Sequence, residues 1–251
     1  MRKIQYSVSR VDSFVKCPRK WYLHYIKGLE TLDEYDPTDA LKLGTCVHEA
    51  IEIDIDTAIR NYKMKYPIID DRHVNEEIKI RNLVRKVDLP RGGQFEVELI
   101  DDDFKGFIDY LVPVGDEYDL YDFKYSNNIE NYKKSVQLHV YKYYAEKLHG
   151  IKIRKLFYLM IPKTMIRQKK TEDLYQFRKR LMSTLEDMNP EVVEIEYDPN
   201  KVIEFFINGK HMIETENYPT RPSKLCNFCN YQKYCESDGE DDLNIIYPRS
   251  R

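Results

Sequence analysis

The sequence has little that would mark a secreted or membrane-bound protein. Its opening, MRKIQYSVSR, has no apolar h-region, so no secretory signal is expected. No run of about 18 apolar residues occurs, so no membrane span and no membrane partner are expected. With 9 Gly and 11 Pro, a long flexible linker is not expected either. Internal repeats, low-complexity tracts and a G-x-x-x-x-G-K-[S/T] phosphate loop are all missing, and the last excludes a P-loop motor. An excess of one charge is also lacking. The 40 Lys and Arg and 43 Asp and Glu leave a net charge of −3, which does not announce a nucleic-acid binder.

What is present suffices for a core. The 251 residues are 42% hydrophobic and 33% charged, within reach of one large domain or two small ones. A cytoplasmic setting is expected, and there cysteines bind metal or do chemistry more often than they form disulfides. The abundance of Tyr, Ile, Lys and Asn is the pattern of an AT-rich genome, such as that of a virus or phage. Charge is uneven locally: Lys152 to Arg180 holds ten Lys or Arg against Glu172 and Asp173, a face suited to solvent or to phosphate.

Cysteine placement is the most informative feature. Cys17 stands near one end; Cys226, Cys229 and Cys235 form a Cys-x2-Cys-x5-Cys group near the other. Four thiolates so spaced suit a metal or an iron–sulfur cluster, with tetrahedral zinc as the alternative. Such a clip would close a loop of roughly 200 residues, by analogy with cross-links worth roughly 4–5 kcal/mol. Arg19, Lys20, Lys224 and Lys233 would add positive charge nearby. Cys46, the fifth cysteine, reads as an ordinary buried thiol.

Periodicity organises the remainder. Ser9 and Asp12 resemble a capping box before a helix that Cys17-Pro18 interrupts. A loop follows over Asp33–Asp39, then a helix from Leu41 to about Lys63 and a polar, helical stretch over 70–87. Strands are expected over Gln94–Ile100, Phe104–Val112 and Tyr118–Tyr125, the last two as a hairpin turning at Val114–Glu117. Asn131–His149 reads as a helix, Ile151–Ile161 as a strand, 170–188 as holding a helix, Val192–Tyr197 as a strand and Lys201–Thr215 as a last helix.

Within this frame Asp122 and Lys124, two apart on a strand, share a face. An acid that ligates a divalent cation beside an amine that orients or deprotonates water is a phosphodiester-cutting pair. Asp109, on the preceding strand, would stand across from Asp122 and complete a carboxylate pair suited to Mg²⁺ or Mn²⁺. His48 is a borderline ligand on a helix, and Gln137 and Tyr141, four apart on another, share a face.

In order and in kind, these pieces resemble the PD-(D/E)xK nuclease superfamily in its RecB-like branch. More narrowly, they resemble the iron–sulfur exonucleases related to the AddB nuclease domain and the single-domain CRISPR-associated RecB-like exonucleases. The matching pieces are Ser9–Tyr22, Gly44–Glu49, Gly106–Asp109, Tyr121–Lys124, Gln137–Tyr141 and the cysteine group. Ile108 stands where the family's proline precedes its first acid, a departure usual in this branch.

The resemblance implies an α/β fold with a mixed central sheet flanked by helices. It implies one domain over 1–251, with 41–216 as the nuclease core and 1–40 with 217–251 as the cluster region. By position, His48, Asp109, Asp122 and the Phe123 carbonyl would hold Mn²⁺ or Mg²⁺, and Lys124 would be the catalytic lysine. Gln137 and Tyr141 would fill the branch's extra motif, and Cys17, Cys226, Cys229 and Cys235 would hold a [4Fe–4S] cluster. The activity implied is metal-dependent exonucleolytic cleavage of single-stranded DNA or duplex ends, with 5′→3′ polarity, and protein partners in recombination or processing complexes. A non-catalytic nucleic-acid-binding subunit, an endonuclease of the same fold and a redox protein are the alternatives.

Overall fold

The structure is a computed structural model that describes residues 5–248. Residues 1–4, the start of the segment read as carrying no secretory signal, and 249–251 lie outside the described residues. Among the described residues no helix is long and apolar enough to cross a membrane.

Helix α1 (Val8–Lys16) is capped by Ser7, whose side chain accepts from the Arg10 N–H at 3.2 Å; the expected cap, Ser9, is two residues too late. The break at Cys17-Pro18 is where the sequence places it. Cys17 turns extended, and its sulfur caps α2 (Pro18–Trp21) by accepting from the Lys20 N–H at 3.5 Å. A turn of π-helix over Tyr22–Ile26 leads to β1 (Glu30–Thr31).

The helix expected over Leu41–Lys63 is two helices, α3 (Ala40–Glu52) and α4 (Ile55–Met64). Asp54 divides them: its carboxylate takes the Thr57 N–H at 2.8 Å, the local bond with which Asp competes against helix propagation. Helix α5 (Asp71–Val84) starts at Asp70 and His73, which cap each other's backbone N–H. Strands β2 (Gln94–Ile100), β3 (Lys105–Val114) and β4 (Glu117–Tyr125) follow, with Gly115 supplying the positive φ of 63° in the β3–β4 turn.

The helix expected over Asn131–His149 is also two, α6 (Ile129–Lys133) and α7 (Gln137–His149). Ser135 ends the first run by accepting from the Gln137 N–H at 3.2 Å. The chain continues through β5 (Ile153–Ile161), α8 (Leu174–Glu186), β6 (Glu191–Ile195) and α9 (Pro199–Glu214). A 3₁₀ turn over Lys224–Phe228, α10 (Gln232–Glu236) and β7 (Ile245–Ile246) complete it.

Two compact units divide the chain. One holds the residues up to Glu34, Ile100–Gly106 and those from Pro199 onward; the other holds Tyr35–Leu99 and Phe107–Asp198.

In the second unit a five-stranded sheet has the order β2-β3-β4-β5-β6, with β3–β4 and β5–β6 antiparallel and β4–β5 parallel. This mixed sheet, with helices about it, is the α/β fold expected. Alternation sorts its faces. Tyr121, Phe123, Leu159 and Ile161 join Leu43, Val47, Tyr62, Ile80 and Leu181 of α3, α4, α5 and α8 in one buried core. Asp122, Lys124 and Tyr158 point the other way, where α7 packs on β4 and β5.

In the first unit α1 packs on α9, and Phe14 and Trp21 are buried edge to face at 5.5 Å. The two ends of the chain meet there. The Tyr231 hydroxyl donates to the Leu29 carbonyl at 2.6 Å, and β1 pairs antiparallel with β7.

One lysine closes α8. The Lys86 ammonium, carried just beyond α5, donates to the carbonyls of Leu185 at 2.7 Å and of Glu186 and Met188 at 2.8 Å. These are acceptors that a helix end leaves without partners. Charged hydrogen bonds are worth about 1.5–3 kcal/mol. Lys86→Met should therefore lower the free energy of unfolding by an amount in that range, read as a lower urea midpoint at unchanged slope; an unchanged midpoint would show that the helix end does not depend on Lys86.

Candidate active site

The β3–β4 ladder runs from Val114 opposite Glu117 to Tyr110 opposite Tyr121. The next step of that register sets Asp109 beside Asp122. Ladder bonding stops there because the Asp109 side chain replaces it: its Oδ2 accepts from the Phe123 N–H at 2.5 Å. The carboxylate pair expected across the hairpin is thus brought together, on the face that also carries Lys124.

Asp122 is 1% exposed in the middle of the sheet, so its charge needs compensation. The Gln137 amide of α7 donates to Oδ1 at 2.7 Å. The Lys124 ammonium lies 2.5 Å from Oδ2 as its ion-pair partner. Burial pushes the Asp122 carboxyl up to about 6; Lys124 opposes the shift and Asp109 adds to it. Burial alone would drive Lys124 down, but the charges of Asp122 and Asp109 outweigh it and hold the ammonium protonated.

His48 arrives from α3. Its Nε2 is 2.9 Å from the Phe123 carbonyl and its Nδ1 3.6 Å from Asp109 Oδ1. Burial lowers the imidazole's pKa, yet the Asp109 contact and the Asp122 charge raise it further than burial lowers it. Tyr141, one turn beyond Gln137, accepts from the Gln137 amide at 3.3 Å, and burial pushes its hydroxyl up, so it stays neutral. All seven residues named for this site, His48, Asp109, Asp122, Phe123, Lys124, Gln137 and Tyr141, therefore belong to one knot of hydrogen bonds and ion pairs.

A cleft of about 920 Å³ opens beside the knot, lined among others by His48, Glu96, Lys124, Tyr132 and Lys163. Glu96 was not singled out from the sequence, where it is one of several acids on an alternating strand. It stands out in the structure because its φ is +49°, a left-handed backbone that Glu seldom adopts. Burial raises its pKa, with the charges of Asp109 and Glu52 adding. A strained backbone of this kind concentrates at functional sites. Tyr132 was missed too, for it carries no motif.

Among the described residues, no group of three or more His, Cys, Asp or Glu side chains is gathered as a metal-ion site. The donors are instead partnered with protein groups. The chemistry of the knot nevertheless fits a hard cation: two carboxylates, an imidazole and a carbonyl.

The four cysteines named for a cluster lie in the first unit, all reduced and all part-exposed. Burial raises the Cys235 thiol, Arg19 opposes this, and Cys17, Cys229 and Cys226 add to it, so Cys235 lies within electrostatic reach of the other three. The Cys226 sulfur accepts from the Ser223 N–H at 3.5 Å, as the Cys17 sulfur does from Lys20. Thiols of this kind suit a thiolate-bound group in chemistry, but among the described residues the structure does not gather the four as a metal site. Cys46, buried and bonded to the Ala58 carbonyl at 3.4 Å, lies elsewhere, with its thiol pushed up to about 12 by burial.

No curated protein matches the chain significantly. The sequence profile of the PD-(D/E)XK nuclease superfamily does match, over residues 5–236. That span reaches into both units and covers every residue of the knot, and the chain belongs to the PD-(D/E)XK nuclease superfamily.

Proposed function

We propose that the protein is a metal-dependent DNA exonuclease of the RecB-like iron–sulfur branch, acting 5′→3′ on single strands or duplex ends in recombination, repair or processing. The observation that carries this reading is the knot of Asp109, Asp122 and Lys124, closed by His48 and Gln137, beside an open cleft. The whole chain would serve one nuclease domain, with the chemistry within 41–216. The likeness to the AddB nuclease domain and to the single-domain CRISPR-associated exonucleases rests on the order of the short motifs.

His48, Asp109, Asp122 and the Phe123 carbonyl would hold Mg²⁺ or Mn²⁺. The ion would neutralise phosphate charge and acidify a bound water. The protein's own share is orientation and charge. Lys124, held protonated beside Asp122, supplies a fixed positive charge to the scissile phosphate and a donor to orient the attacking water. Water adds to phosphorus, the bond to the leaving sugar oxygen breaks, and that oxygen takes up a proton. Gln137 fixes the Asp122 carboxylate by holding Oδ1, leaving Oδ2 toward Lys124. Neutral Tyr141 in turn holds the Gln137 amide.

Cys17, Cys226, Cys229 and Cys235 would hold a [4Fe–4S] cluster that acts as a structural clip between the chain's ends. Support comes from the packing of those ends in one unit, through Tyr231 on Leu29 and β1 on β7. Zinc is the alternative occupant.

Two tests follow. With Mn²⁺ the purified protein should degrade linear DNA, and Asp122→Ala or Lys124→Ala should slow this by about 10²–10⁴-fold. Circular dichroism should show the fold intact in both variants. Persistent cleavage by both would refute the assignment. Metal-independent DNA binding without cleavage would favour a non-catalytic subunit, and cutting of closed circles would favour an endonuclease. Anaerobically purified protein should be brown, with a broad visible band that Cys229→Ser abolishes while lowering the thermal midpoint. A colourless protein containing stoichiometric zinc would replace iron by zinc.

A further inference from the structure

Lys124 has more around it than its carboxylate. The β4–β5 register places Tyr158 beside Asp122, on the face shared with Lys124. The Tyr158 ring, 1% exposed, is locked in the sheet. Tyr132 comes from α6, in the connection between β4 and α7. Its ring lies 5.5 Å from that of Tyr158, tilted by 54°. The Lys124 ammonium stands 5.6 Å from the Tyr132 centroid and 5.8 Å from the Tyr158 centroid. Asp122 closes the third side at 2.5 Å.

We infer that Tyr132 is a positioning residue for Lys124, completing with Tyr158 and Asp122 a three-sided cage that holds the ammonium at the edge of the cleft. A lysine has a flexible four-carbon stem, and its ammonium is a point charge with no preferred plane. Asp122 meets it on one side, 2.5 Å from Oδ2, and the two rings stand on the others. Two aromatic faces are each attractive to a cation within about 6 Å of the centroid, more so where water is scarce. The Lys124 side chain is 17% exposed, so water competes weakly.

Tyr158 sets one wall rigidly. Tyr132 sets the other from a five-residue helix, which Asn128 starts by accepting from the Asn131 N–H at 3.3 Å. Because the Tyr132 ring also lines the cleft, it borders both the lysine and any strand lying there. The ring face does the holding; the hydroxyl has no part in it. Tyr132→Phe should therefore behave like the parent protein, and Tyr132→Leu should not.

The kinetic part of the test rests on Lys124 being the reacting lysine; the spectroscopic part does not. In protein labelled with carbon-13 at lysine Cε, the Lys124 signal is identified by its loss in Lys124→Arg. Ring currents should displace its ε-protons upfield in the parent protein and in Tyr132→Phe, and Tyr132→Leu should lose much of that displacement. On DNA, Tyr132→Leu should lower kcat by about tenfold at unchanged KM, since the tether and not substrate binding is lost, and Tyr132→Phe should restore most of it. An undisplaced Lys124 signal in the parent protein, or no change in Tyr132→Leu, overturns the cage. A raised KM with unchanged kcat overturns positioning and makes Tyr132 a surface for stacking a base. If the parent protein cleaves no DNA, the nuclease reading falls and the chemical shifts still decide the cage.

Discussion

An aspartate and a lysine buried side by side on the central strand, Asp122 and Lys124, constrain everything around them. Charges taken out of water need partners on every side that water has left. Gln137 takes one oxygen of Asp122, Lys124 faces the other, and Tyr132 and Tyr158 wrap the ammonium. Burial pushes the carboxyl up to about 6 even so, so the pair remains a costly arrangement. A fold selected for stability alone would place an apolar pair there, as it does one residue away with Phe123 and Leu159. Keeping two charges in this position makes sense where a phosphate and a cation are to be received.

The hairpin shows how the site is held in a sheet without spoiling it. Asp109 takes the Phe123 N–H where the ladder would have continued, and His48 meets the Phe123 carbonyl from α3. The backbone of one residue therefore ties two candidate ligands together. Its ring, on the opposite face, is anchored in the main core. The strand is at once a structural centre and a ruler that spaces the acid and the lysine.

Much of this was legible in the chain. Alternation over Gln94–Ile100 matched β2 residue for residue, and the hairpin at Gly115 followed from its turn chemistry. Helix ends were harder. Leu41–Lys63 and Asn131–His149 carry helical periodicity throughout, yet Asp54 and Ser135 divert backbone bonds to their own side chains and split each run. Apolar spacing does not register such a local competition. Ser7 rather than Ser9 starts α1 for a similar reason, since several Ser residues offer equivalent caps in sequence and only one meets the backbone.

By itself the sequence determined which residues could do chemistry and which of them share a face. Two-residue spacing on a strand puts Asp122 with Lys124, four-residue spacing on a helix puts Gln137 with Tyr141, and cysteine spacing marks a thiolate group. The tertiary structure alone decided which faces meet. It brought α7 onto β4 so that Gln137 reaches Asp122, turned Glu96 toward the cleft through a left-handed backbone, and set Tyr132 and Tyr158 about the lysine. These contacts join residues whose separation along the chain follows no period, and they depend on how whole elements pack. Local pattern carries no record of that packing.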